Sequence, residues 1–183
     1  MSVETLAEDP RWQAAGLAGL AERACGAALA GLGLDPARFE IGLLGCDDAR
    51  IAELNAGFRG RNAPTNVLSW PAVERRPGVP GAVPAPPEGG LPGAPEALGD
   101  VAIAWETCRR EASEAGRAFE FHVAHLLVHA TLHLLGYDHI DARDAALMEE
   151  REREILASLG FPDPYEGMTG ERAGQAERND GRR

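Results

Sequence analysis

The stretch HLLVHATLHLLGYDH, residues 125–139, decides how the rest of the chain is read. His129 and His133 stand four apart, so a helix through them sets both imidazoles on one face, with Cβ atoms about 6 Å apart. Gly136 follows His133 by three residues, where a residue of positive φ ends a helix and turns the chain back. His139 then arrives from the loop. The pattern H-x-x-x-H-x-x-G-x-x-H offers three nitrogens to one ion and leaves a fourth position open, as catalytic rather than structural zinc sites do. One Zn2+ per chain, on His129, His133 and His139, is therefore expected.

All five histidines fall between His122 and His139. His125 precedes His133 by eight residues, about 12 Å of helix rise, too far for both to bind one ion. It is expected to act beside the ligands, as a support, a proton carrier or a packed side chain, and His122 to be a packing residue. The motif resembles that of the metzincin peptidases, whose first histidine is followed by a glutamate acting as general base. Here that position is Ala130, which opposes peptide hydrolysis.

At 183 residues the chain fits one domain, large enough to bury a core without staples. A net charge of −11 excludes indiscriminate coating of nucleic acid, which depends on neutralising many phosphates. Cys25, Cys46 and Cys108 form no C-x-x-C pair and read as free thiols in a reducing compartment. The N-terminus MSVETLAEDPRW lacks a basic and then apolar leader, and no apolar run is long enough to span a bilayer, so a cytoplasmic protein without membrane contact is expected.

Apolar spacing predicts helices over Trp12–Gly31, from Asp47 or Asp48 to Gly60, over Glu106–Gly116, Phe119–Leu135 and Asp141–Leu159. Strands are predicted over Phe39–Cys46, Asn66–Trp70 and Asp100–Trp105. Residues 72–97 hold seven prolines and five glycines and read as a long surface loop between paired strands. The fold class is α+β: a small mixed sheet of three to four strands covered by about five helices. One domain over 1–164 and a disordered tail over 165–183 complete the expectation.

Upstream, RGRNAPTNVLSWP (Arg59–Pro71) places Arg59 and Arg61 beside Thr65, Asn66 and Ser69. Alone, such arginines read as a solvated pair at a helix end. Taken in order, FRGRNAPTNVLSWP, LGDVAIA and HLLVHATLHLLGYDH resemble the YbeY family of single-domain bacterial endoribonucleases. The likeness spans about Leu54 to His139. It implies a zinc ion on His129, His133 and His139, a catalytic Arg59 and single-stranded RNA as substrate; His125, read from its place on the helix, is the second catalytic candidate. The likeness further implies ribosomal RNA, at the 3′ end of the small-subunit species, and ribosome-associated proteins as partners, with a part in ribosome quality control and no DNA. Trp70 stands where the family more often has phenylalanine, and the 72–97 segment is longer than expected.

A three-histidine zinc lowers the pKa of its water to about 7, so a nucleophile is available without a carboxylate in place of Ala130. Attack by the RNA 2′-hydroxyl is the other route, and the residues do not choose between them. Two alternatives remain at this level: a non-catalytic zinc-containing ribosome-assembly factor, and a zinc-dependent peptide or amide hydrolase.

Overall fold

Burial alternates along Phe39–Cys46, with Phe39, Ile41 and Leu43 turned into the main core, and this strand lies inside the sheet. The computed structural model describes residues 2–60 and 62–166, and of Phe58 and Arg59 the backbone alone. In chain order the elements are β1 (Ser2–Ala7), α1 (Pro10–Ala14), α2 (Leu17–Gly31), a 3-10 turn (Pro36–Arg38), β2 (Phe39–Cys46), α3 (Asp48–Arg59), β3 (Val67–Pro71), β4 (Glu96–Ala104), α4 (Trp105–Glu114), α5 (Phe119–Leu134) and α6 (Ala142–Ser158). The sheet order is β1-β2-β4-β3; β1, β2 and β4 run parallel and β3 is antiparallel to β4. The α+β class with a mixed four-stranded sheet is as the sequence indicated.

Two differences from the sequence reading have simple causes. The helix predicted over Trp12–Gly31 is split into α1 and α2, because Gly16 takes a left-handed conformation (φ 72°) between them. That break raises the described helices to six. Strand β1 carries no period-two signal because it is a sheet edge with only Val3 buried.

The sheet has an apolar layer on each face. On one side α2 and α5 cover Ile41, Leu43, Val101 and Ile103, with α6 packed behind them. On the other, Ile51 of α3 meets Cys46, Leu68, Ala102 and Ala104. The indole N–H of Trp12 donates to the buried carbonyl of Cys46 at 2.9 Å, which pins the α1 corner to the end of β2. The three cysteines are buried free thiols, and burial pushes Cys25 up to about 11 and Cys46 up to about 12.

Gly99 sits at a register shift between β2 and β4 with φ 138°. A Cβ there would meet the Trp70 carbonyl oxygen at 2.1 Å and Leu134 of α5 at 3.0 Å. The position therefore sets how closely β3 and the end of α5 approach β4. Gly99→Ala is expected to destabilise the fold by about 3 kcal/mol through overpacking and strained φ. Urea unfolding monitored by tryptophan fluorescence measures it; an unchanged midpoint would refute this account.

Candidate metal centre

Helix α5 is built to be buried: Phe121, Val123, Ala124, Leu127, Val128, Leu132 and Leu134 are all in the core. Its remaining face carries His125, His129 and His133, each partly exposed. The helix ends as the sequence implies. Gly136 (φ 94°) donates to the His133 carbonyl at 3.0 Å and Tyr137 N–H to the Leu132 carbonyl at 3.0 Å, the paired bonds of a left-handed helix stop.

This turn brings the three predicted histidines together. Ring centroids are 4.5 Å apart for His129 and His133, 5.3 Å for His129 and His139, and 4.9 Å for His133 and His139. One nitrogen from each lies within 4.8 Å of the others. His125 does not join them: its ring centroid is 6.4 Å from that of His129, and its Nε2 is engaged elsewhere.

Hydrogen-bond partners fix the tautomers of the helical pair. His133 Nδ1 is 2.9 Å from the Tyr137 carbonyl, which can only accept, so the proton is on Nδ1. His129 Nδ1 is 2.6 Å from a Glu152 carboxylate oxygen and donates to it likewise. With both rings neutral, as metal ligation requires, both Nε2 atoms carry lone pairs, and they face each other at 3.0 Å. Two acceptors that close repel unless a cation lies between them. Nitrogens sharing one tetrahedral zinc stand about 3.3 Å apart, so this donor set suits such an ion. Burial pushes His133 down to about 3, and a proton added to His129 or His139 would only oppose its protonation further, which keeps the ring neutral and ready to ligate.

Glu152 of α6 is the residue that the sequence reading missed. Its side chain is 1% exposed and accepts from His125 Nε2 (3.0 Å), His129 Nδ1 (2.6 Å) and the Tyr165 hydroxyl. Burial would raise its carboxyl, but the bonds from His125 and His129 outweigh that and hold it below the usual carboxylate range. A signal was available: Met148, Glu152 and Ile155 share one face of α6, so a carboxylate sits in an apolar stripe. Ala130, at the metzincin glutamate position, lies in the apolar core. The carboxylate here acts on the outer nitrogen of His129 instead.

A second cluster supports the same helix. His122 Nε2 lies 2.9 Å from Glu111 of α4, and Asn66 Nδ2 donates to the same Glu111 oxygen at 3.0 Å. His122 is buried, as expected of a packing residue, with Nδ1 lacking a hydrogen-bond partner. Arg59 is the last residue of α3, followed by Gly60 with φ 66°. Its side chain and the whole of Arg61 fall outside the described residues.

The predicted 72–97 loop does join paired strands, though it ends at Pro95 because the pairing of Glu96 and Ala97 with β2 already makes them part of β4, and it is tied down. Arg75 pairs with Glu96 at the start of β4, Arg76 with Asp138 at 2.8 Å, and Gly81 N–H donates to Asp144 of α6 at 2.6 Å. It thus runs beside the turn that delivers His139.

A four-stranded mixed sheet carrying a cluster of three histidines, two on α5 and one on the turn after it, is an α+β architecture with a group that could hold a metal ion. The chain belongs to the YbeY endoribonuclease family: the description Endoribonuclease YbeY matches residues 3–160. It is 58% identical over 163 residues to the Endoribonuclease YbeY of Cereibacter sphaeroides, covering 89% of this chain and 98% of that one. The Endoribonuclease YbeY of Ruegeria pomeroyi is 55% identical over 165 residues, covering 90% and 98%. The solution structure of TM1509 from Thermotoga maritima shares the fold over the whole of both chains, with a TM-score of 0.53 at 20% identity. Among the described residues, no helix is long and apolar enough to cross a membrane.

The Glu111 cluster gives a pH prediction. Burial raises its carboxyl, but hydrogen bonds from His122 and Asn66 prevail and lower it. A group lowered by folding adds stability above its unfolded value, about 4.3, and loses it as pH falls toward the folded value. The stability advantage of the native protein over Glu111→Gln should therefore shrink between about pH 5 and pH 3. Denaturant titrations at several pH values measure this, and a flat difference would contradict it.

Proposed function

We propose that this protein is a zinc-dependent, single-strand-specific endoribonuclease acting on ribosomal RNA, at the 3′ end of the small-subunit species and in ribosome quality control. The observation that carries the metal assignment is the facing pair of Nε2 lone pairs at 3.0 Å, with both outer nitrogens already bonded. Membership of the endoribonuclease family supports RNA as the substrate.

His129 and His133 would hold the ion from α5 and His139 from the turn behind it, with one Zn2+ per chain. Bound there, zinc supplies positive charge against the phosphate and favours deprotonation of the attacking oxygen. The protein's own groups do the remaining work. Glu152 holds the His129 ring and keeps its Nδ1 protonated; the Tyr137 carbonyl does the same for His133. His125 donates to the other oxygen of Glu152 and so helps to hold that carboxylate ionised and in place behind His129. Arg59 is assigned to the phosphate, where a guanidinium stabilises charge that grows in the transition state. Ribosome-associated proteins are the expected partners, in the reducing interior of the cell. Peptide hydrolysis on the metzincin plan lacks its base, since Ala130 is in the core.

Metal analysis and single-turnover cleavage of a single-stranded RNA test this reading, with casein as the control substrate. His133→Ala should lose the metal and the cleavage together. His125→Ala should keep the metal within about tenfold of native affinity, because it acts only through Glu152. Arg59→Ala, at matched zinc occupancy, should slow cleavage by about 10²-fold or more with fold and metal intact. Full metal content in His133→Ala would sink the ligand assignment, and unchanged turnover in Arg59→Ala would move the protein toward a non-catalytic assembly role.

A further inference from the structure

His129 and His133 are held by a helix and by hydrogen bonds on their outer nitrogens, whereas the His139 side chain is 56% exposed on a turn. Its place depends on its backbone. Asp138 Oδ1 accepts the His139 N–H at 2.7 Å, and Asp138 Oδ2 is 2.8 Å from Arg76 Nη1. The other arm of the same guanidinium reaches toward Asp144 Oδ2 at 3.9 Å, while Asp144 Oδ1 accepts the Gly81 N–H at 2.6 Å. One arginine of the Pro/Gly-rich loop therefore sits between two carboxylates. One fixes the turn of His139 and the other fixes the loop to α6.

We infer that Arg76 is a positioning residue for the third metal ligand, and that the 72–97 loop acts as a buckle over that ligand's turn. The inference rests on the zinc assignment made above. Three further observations carry it. The Asp138 and Asp144 side chains are 15% and 13% exposed, so removing the cation leaves two shielded like charges near each other. The loop backbone lies directly on the turn, since a Cβ on Gly136 would meet the Arg75 carbonyl carbon and oxygen at 2.7 Å. The buckle is also anchored at its base, where Glu96 takes the Arg75 guanidinium on one oxygen and the Gly89 N–H on the other at 2.8 Å.

Groups that orient a ligand without touching the ion change metal affinity about 10- to 100-fold when removed. Zinc affinity by competition with a chromophoric chelator, and melting temperatures of zinc-free and zinc-loaded protein, test the inference. Arg76→Ala should hold zinc about tenfold more weakly, with Arg76→Gln close to it. Arg76→Lys should recover part of the affinity, because its single charge cannot bridge both carboxylates. The gap in melting temperature between the loaded and free forms should narrow in both neutral variants. Glu88→Gln, an exposed change in the same loop, should behave as the native protein. Native zinc affinity in Arg76→Ala and Arg76→Gln would overturn the inference. So would equal melting losses in the free and loaded forms, the mark of a purely structural salt bridge. His133→Ala separates the two levels. Loss of zinc there with native affinity in the Arg76 variants removes the buckle alone, and retained zinc there removes both.

Discussion

The Glu152 carboxylate is the constraint from which the centre is built. An ionised group buried to this degree survives only when its lone pairs are satisfied, and here His125, His129 and the Tyr165 hydroxyl do so. Those bonds tie α5 to α6 and to the segment after it. They also settle which nitrogen of His129 faces inward. Because Nδ1 is committed to the carboxylate, Nε2 points at His133, and the geometry of the histidine cluster follows from a contact on the far side of the ring.

The remainder of the fold keeps that contact rigid. Helix α5 is wedged between α2 and the sheet by a nearly continuous apolar surface, so its polar stripe can face only one way. Gly99 lets the strand pair approach the end of α5, and Gly136 turns the chain where the loop backbone presses on it. Two of the clustered histidines come from a stiff helix and one from an exposed turn. That division explains why the loop contacts gather around Asp138 and Asp144, leaving the helical histidines to packing and to their outer-nitrogen bonds.

Charge is distributed to the same end. The chain is strongly acidic overall, yet the acids around the centre are taken up locally: Glu152 by histidines, Glu111 by His122 and Asn66, Asp138 by Arg76. Arg76 offsets the charge of Asp138, whereas neutral imidazole and amide donors stabilise a carboxylate without cancelling its charge.

Spacing alone predicted that His129, His133 and His139 come together, because they and Gly136 are joined by one helix and one turn whose geometry is local. The same locality made β2, β3, α3, α5 and α6 legible from apolar periodicity. What the sequence could not supply were relations between distant segments. Strand β1 exists because β2 offers it a parallel edge, and nothing in SVETLA announces that. The break at Gly16 needed a corner that only the packed Trp12 defines. Glu152 lies 23 residues beyond His129, and the Arg76 pair with Asp138 spans more than sixty positions. Each depends on elements brought together by the burial of apolar faces elsewhere, so the histidine cluster could be read along the chain, but the groups that hold those histidines became neighbours only on folding.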